Sequence, residues 1–305
     1  MKDTEERYIS LLTDFGFKRI FGTAPNKELL ICFLNSLFDG RMVIKDMKYL
    51  NNEHLGDSLS ARKAIFDVYC EGENGEKFIV EMQNAYQEFF KDRSLFYTTF
   101  PIREEGQKGS EWDFCLPPIY TVALLNYDMH EESFDSNDIS HTVKLCDIKT
   151  HEVFYHKLDF IYVEIAKFCK TEDELVTLYD KWLYVLKNLS RLEKRPKALL
   201  DKVFDRLFEE AEISKFTPTE LREYEDSRKA YRDLKNSLDT ALRDGIKQGR
   251  QEGLAEGLVI GREEGREEGA QLKALTIARN LKSMGLGVAD IMAATGLSED
   301  DIARI

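Results

Sequence analysis

The dipeptide Asn74-Gly75 constrains this chain more than any other feature. Both residues tolerate positive φ, as two-residue hairpin turns demand, and apolar runs flank them on either side. The pattern predicts one strand over residues 63–71, rich in Ile65, Phe66, Val68 and Tyr69. It predicts a second over residues 77–83, antiparallel to the first. Asp67 interrupts the first apolar run and Glu81 the second. A carboxylate placed in such a run must be satisfied by hydrogen bonds, a cation or a metal. Period-two alternation sets Glu81 and Gln83 on one face of their strand, and antiparallel pairing brings Asp67 beside them. Two facing carboxylates repel. A hard divalent cation removes the repulsion and takes oxygen ligands, Mg²⁺ keeping several waters as it does so. An ion so held activates a water and stabilises charge developing on a phosphate. The same two acids also fit a plainer arrangement, solvent-facing and neutralised by Lys63 or Lys77, and spacing alone does not separate the two.

The flanking sequence alternates helical and extended patterns. Residues 27–38 carry Leu30, Phe33, Leu34, Leu37 and Phe38 at helical spacing, and Gly40 follows as a stop. A strand is predicted over 42–50, then the hairpin, then a helix over 84–105 that Pro101 ends or kinks. Strands follow over 119–126, 142–145, 152–155 and 160–164, which makes the class α/β. From 173 to 244 the periodicity is helical. Gly245, Gly249, Gly253, Gly257, Gly261, Gly265 and Gly269 then recur every fourth residue among Arg, Glu and Gln. Short helices are predicted over 271–284, 288–294 and 299–305. This divides the chain into a core over 1–170, a helical region over 171–244 packed on or beside it, and a glycine-patterned tail over 245–305.

The formal net charge of the 305 residues is −13, which argues against a general nucleic-acid coat but leaves room for a local basic groove. Cys32, Cys70, Cys115, Cys146 and Cys169 are scattered, with no C-x-x-C pair, as expected of reduced thiols in the cytoplasm. His151 and His156 are five apart, off a common helical face, so no zinc site is read there. No apolar run approaches the roughly 20 residues of a membrane helix. Residues 1–7 are charged and lack the apolar stretch of a signal peptide.

Five stretches stand in one order: DFGFKRIFG at 14–22, FLNSL at 33–37, LNNE at 50–53, KAIFD at 63–67 and VEMQ at 80–83. Together they resemble the Rpn family, the PD-(D/E)XK nuclease family transposases also described as recombination-promoting nucleases. The resemblance covers most of residues 8–165, and the glycine-patterned tail and closing helices look like that family's tails. It implies a restriction-endonuclease-like core, a mixed sheet flanked by helices, followed by a helical C-terminal region. The implied activity is DNA endonuclease cleavage dependent on Mg²⁺, with Mn²⁺ as a substitute, associated with recombination or mobile elements. Asp67 matches the central metal-binding Asp, and Glu81 the acid of the (D/E)XK motif, with the Met82 carbonyl as a further ligand. Gln83 stands where the wider superfamily has Lys, in the catalytic position, to orient water or phosphate. An ammonium stabilises charge, whereas an amide offers only dipolar hydrogen bonds, so more of the work falls to metal or activity is low. The remaining acid of the superfamily comes from the first helix, where Asp14 and Glu28 both qualify. The alternative is a weak or inactive nuclease fold serving as a binding or oligomeric scaffold. A transposase that joins strands is a second rival.

Lys18, Lys63, Lys91 and Arg93 are the candidate DNA contacts; Lys18 fits an exposed charge beside a buried aromatic stripe as well, and for Lys91 and Arg93 an exposed helix charge is the commoner explanation. Lys63 supports phosphate or pairs with an acid, and Phe96 and Tyr97 read as core rather than a base-stacking platform. The seven glycines lack the preceding strand and the clustering of a phosphate loop. A four-residue step drifts only about 40° on a helix, so they trace one slowly winding stripe. Gly costs about 1 kcal/mol against Ala in a helix, and close approach of a partner helix, as in a homo-oligomer, explains seven of them. The closing helices have a helix-turn-helix look, but the last carries Glu299, Asp300 and Asp301 where a DNA reader needs Arg, Lys, Asn or Gln.

Overall fold

The computed structural model describes residues 6–54, 64–106 and 113–305. The described strands are β1 Met47–Tyr49, β2 Glu53–His54, β3 Ala64–Ile65, β4 Val68–Gly72, β5 Lys77–Gln83, β6 Ile119–Leu125, β7 Ser140–Cys146 and β8 Val153–Glu164. The α-helices are α1 Asp14–Phe21, α2 Lys27–Phe38, α3 Phe90–Gly106, α4 Leu178–Asn188, α5 Lys202–Glu210, α6 Pro218–Ser283, α7 Val288–Thr295 and α8 Glu299–Ala303. Two compact units divide the chain, Met1–Asn236 and Ser237–Ile305.

In the first unit one mixed sheet has the order β1-β4-β5-β6-β8-β7. β5, β6 and β8 run parallel, while β1, β4 and β7 join antiparallel. The parallel centre is covered on both faces, which is why Ile119–Leu125 is almost wholly apolar. Alternation then assigns the faces. Phe78, Val80 and Met82 of β5 join the larger core with α1, α2, α4 and α5. Ile79 packs the other way, with Phe66, Tyr69 and Phe100 of α3. Glu81 and Gln83 share the parity of Ile79, so they face α3. The mixed sheet with flanking helices and a helical C-terminal region is the architecture the sequence resemblance implied.

The hairpin forms as predicted. Gly75 sits at φ 85°, and β4 pairs β5 from Glu71↔Lys77 to Val68↔Val80. The strand expected over 63–71 is broken, however. β3 pairs with β2, β4 joins the main sheet, and Asp67 occupies the bend between them. The Phe66 N–H donates to the Asn52 carbonyl at 2.9 Å, which pulls the chain out of the main ladder at this point. Lys63 lies outside the described residues. β1 is shorter than the predicted 42–50 because the Asn35 side chain takes both backbone groups of Ile44. The two strands expected at 152–155 and 160–164 are one, β8. Its polar middle is accommodated by register shifts against β7 and by the pair Lys144–Asp159 at 3.0 Å. The helix expected from 84 begins at Phe90, because the Asn84 side chain is tied to the Leu12 carbonyl at 2.7 Å. It runs through Pro101, which is buried beside Phe100.

Helices after the sheet complete the larger core through Trp182, Leu186, Phe204 and Leu207. The start of α6 is held there too: Tyr224 is buried and accepts from the Ser10 N–H at 3.1 Å. Gly16 explains one glycine of the 14–22 stretch, since a Cβ there would stand 2.1 Å from the Ser10 carbonyl oxygen.

In the second unit the glycine row lies within α6, which continues unbroken through the short helix expected at 271–284. Residues 232–273 are exposed throughout. Near the C-terminus Ala278, Ile291 and Ile302 form a small core with Leu281, Leu297 and Ile305. Ser298 caps α8, accepting from the Asp301 N–H at 3.2 Å, as its sequence predicts.

Candidate active site

The site forms where β4 leaves β5. The ladder ends at Val68↔Val80, so the next step of the same register sets Asp67 opposite Glu81. The two segments then clasp each other. The Asp67 N–H donates to Glu81 Oε1 at 3.2 Å, and the Met82 N–H donates to Asp67 Oδ2 at 2.8 Å. In a strand, the N–H and C=O of one residue point to the same side, so the Met82 carbonyl is turned toward this edge. The Gln83 carbonyl is turned the other way and accepts from the Asn126 N–H at 2.8 Å.

Glu81 is only 3% exposed, and the Asp67 side chain 21%. Burial and the facing Asp67 carboxylate push Glu81 up to about 8, against the opposing pull of Arg93 and the Asp67 N–H. Burial raises Asp67 as well, with Asp14 pushing the same way and the Met82 N–H, Lys18 and Arg93 opposing. The fold therefore holds two carboxylates together without fully neutralising them.

Arg93 of α3 enters from the opposite side. Its Nη2 donates to Glu81 Oε2 at 3.3 Å and its Nη1 to Gln83 Oε1 at 3.4 Å. Gln83 Nε2 in turn donates to Glu81 Oε2 at 3.3 Å. Gln87 and Tyr97 hold the guanidinium, with Nη1 to Gln87 Oε1 and Nε to the Tyr97 hydroxyl both at 2.9 Å. Tyr97 is braced on Phe66, ring centroids 5.0 Å apart. It is half-buried and packs against the core of Phe66, Tyr69, Ile79 and Phe100, whereas Phe96 is 42% exposed. Sequence reasoning missed the roles of Gln87 and Tyr97. The one available signal was the i, i+4 spacing of Arg93 and Tyr97.

Of the two candidate acids only Asp14 lies on the first helix, α1, and it is the one that interacts with the site. It pairs with Lys18 at 2.7 Å, and Lys18 Nζ lies 3.9 Å from Asp67 Oδ1. Burial would lower Lys18, but Asp14, Asp67 and Glu81 together hold it above its ordinary value. Glu28 is exposed in the first turn of α2, and no contact ties it to these residues. Arg19 is consumed elsewhere, by Glu220 at 2.5 Å and Glu210 at 3.6 Å. Lys91 pairs with Glu131 at 2.7 Å and is not among the groups gathered here. A cavity of about 590 Å³ between α1 and the start of α6 adjoins the site through Asp14 and Lys18.

The sequence model of the PD-(D/E)XK nuclease family transposases matches residues 11–241, more than half of the chain. The chain belongs to that family. Searches of curated proteins and of solved structures found no match. The family is one of nucleases, which generally use divalent metals. Glu81 and Gln83, the two residues that the sequence resemblance set in the motif, lie on β5 within that matched range. The donors gathered at the bend are all oxygens: two carboxylates and a backbone carbonyl. Among the described residues no group of three or more His, Cys, Asp or Glu could hold a metal. Two carboxylates are nonetheless the set Mg²⁺ uses when water and a substrate phosphate complete its octahedron, so the residues present fit such an ion. No helix among the described residues is long and apolar enough to cross a membrane.

Proposed function

We propose that this nuclease-family chain is a DNA endonuclease dependent on Mg²⁺, with Mn²⁺ as a substitute, serving recombination or mobile elements. The observation that carries the reading is the apposition of Asp67 and Glu81, buried in register across the hairpin. Arg93 and Lys18 only partly offset the repulsion, since both acids stay above their usual range, so the arrangement still costs free energy that a bound divalent cation would repay.

Asp67, Glu81 and the Met82 carbonyl would hold the ion. When bound, it would lower the pKa of a water and offset charge on the phosphate. The chain's own residues set the rest. The reciprocal backbone hydrogen bonds fix both carboxylates, so little reorganisation remains for the reaction. Gln83, held between Glu81 and Arg93, keeps an amide in position to orient water or phosphate. Lys18, more than a third exposed beside Asp67, is placed to meet a DNA phosphate. In the hydrolysis a water oxygen bonds to phosphorus and a phosphorus–oxygen ester bond breaks. One fragment keeps the phosphate; the other leaves as an alcohol, taking up a proton from solvent.

The test is cleavage of supercoiled and linear DNA with Mg²⁺ and Mn²⁺, beside Asp67→Ala and Glu81→Ala. Cleavage lost in both folded variants supports the reading. Equal cleavage by the variants, or none by the wild type with either ion, overturns it and favours a binding scaffold.

The proposal extends to the cytoplasm as the setting and to self-association through the glycine row. A Cβ at each of Gly245, Gly249, Gly253, Gly257, Gly261, Gly265 and Gly269 would meet nothing within 4 Å, so the glycines serve no close contact among the described residues. Light scattering of wild type and Gly257→Leu tests this, an unchanged mass for both at the monomer value counting against it.

A further inference from the structure

We infer that Arg93 supplies the positive charge that the family's motif places on its lysine, the cation having moved from strand β5 to helix α3. The inference rests on the nuclease reading. Gln83 fills the lysine position, and an amide brings no charge to the reacting phosphate. The Arg93 guanidinium, however, is bonded to Gln83 itself and to Glu81, so a cation stands within hydrogen-bond reach of the lysine position after all.

Three observations separate this role from that of a surface arginine gripping the DNA backbone. First, Arg93 is fixed. Gln87 and Tyr97 take one Nη1 and the Nε proton, and the guanidinium carbon lies 5.1 Å from the Tyr97 ring centroid. A backbone-gripping side chain needs no such brace, whereas a group that stabilises developing charge gains from being positioned beforehand. Second, one donor is left over. Of the five guanidinium N–H groups, four are used among the described residues, and the second Nη2 proton has no acceptor. The side chain is 32% exposed, so the guanidinium is not sealed from a ligand oxygen. Third, the direction of entry is set by the sheet. Glu81 and Gln83 share the face that α3 covers, so a charge delivered from α3 arrives where a lysine at position 83 would have pointed.

The experiment relocates the charge. With purified full-length protein, Mg²⁺ and supercoiled DNA, kcat and KM are measured for five proteins. They are the wild type, Asp67→Ala, Arg93→Gln, Gln83→Lys, and Arg93→Gln combined with Gln83→Lys. Arg93→Gln is expected to lower kcat about a hundredfold with KM changed less than about threefold. The combined variant is expected to regain at least about tenfold of that loss, because the lysine restores a cation at the old position. Melting and circular dichroism report folding. If Arg93→Gln does not fold, Arg93→Lys decides: kcat within about tenfold of wild type supports the role, and kcat as low as Asp67→Ala overturns it. A raised KM with kcat intact overturns it in favour of a backbone contact. So does a folded Arg93→Gln that Gln83→Lys fails to rescue. Wild-type cleavage that ignores Asp67→Ala defeats the nuclease reading and this inference together. Wild-type cleavage that needs Asp67 but not Arg93 defeats this inference alone.

Discussion

The two ends of the β4–β5 hairpin carry acids in the same ladder, on the same face, and the fold treats them oppositely. At the turn end Glu71 is paired in register with the buried Lys77, and Lys48 adds a contact at 2.7 Å. Burial alone would raise Glu71, but its two lysine partners outweigh it and hold the carboxyl below the usual range. At the bend end Glu81 faces Asp67, an acid, and both are held above the usual range. One end is a charge cluster completed within the protein. The other is a carboxylate pair whose cations, Arg93 at 3.3 Å from Glu81 and Lys18 at 3.9 Å from Asp67, do not bring either acid back to its usual range. Glu81 is also the more deeply buried, 3% exposed against 22% for the Glu71 side chain, so burial and the acid it faces act together, and the bend end is where the proposed chemistry falls.

The largest expected effect tests the unbalanced end. Asp67→Asn keeps an oxygen for the Met82 N–H while removing the repulsion. Cleavage should fall on the order of a thousandfold. In EDTA at neutral pH the same variant should unfold at higher denaturant than the wild type, by about 1 kcal/mol. A variant that is less stable in EDTA would show that the pair is not repulsive and would erase the contrast between the ends.

The balanced end should behave in reverse. Lys77 is 6% exposed at its side chain, with Glu71 in contact and Glu105 Oε1 3.9 Å away. Lys77→Met keeps the apolar stem and removes the charge. Denaturant unfolding should show a loss of about 3 kcal/mol, as for a buried pair broken on one side. Cleavage per folded molecule should be unchanged. Loss of cleavage without loss of stability would give the turn end a functional part that the comparison denies it.

The sequence disclosed the hairpin, its turn and the apposition of its two acids, because Asn-Gly turns and period-two alternation are local. It disclosed less where tertiary contacts override local pattern. The break at Asp67 is hidden inside an apolar run, since the Phe66 N–H leaves the ladder for a distant carbonyl at Asn52. The choice between Asp14 and Glu28 depends on which helix end reaches the bend, which no periodicity encodes. Arg93 looked like one more exposed helix charge. Its partners Glu81 and Gln83 are ten and more residues away, on a strand whose face toward α3 emerges only once the sheet is assembled. The continuity of α6 was obscured by glycine's poor helix propensity.

Acid should separate the ends next. A carboxyl lowered in the folded state binds fewer protons there than when unfolded, so it adds stability above its unfolded value, about 4.3, and that stability is lost as pH falls below it. Glu71 is such a group. Between pH 5 and pH 3 the wild type should therefore lose more stability than Glu71→Gln, measured by urea unfolding at each pH. Parallel losses would mean that the lysine cluster is not what holds Glu71 down.

The smallest expected effect sharpens the account of that cluster by dividing it. Lys48 and Lys77 both touch Glu71, but the Lys48 side chain is 66% exposed. Its attraction acts through water, and ordering a long side chain there costs entropy, so an exposed pair adds little. Lys48→Ala should reduce stability by no more than about 0.5 kcal/mol at low salt, and the loss should shrink further in 0.5 M NaCl as screening removes it. The Lys77→Met loss should persist in the same salt, because a buried pair is poorly screened. If the two lysines instead respond alike to salt, then Lys77 is solvated in practice. The turn end would then be a surface network, and burial would no longer be common to the two ends of the hairpin.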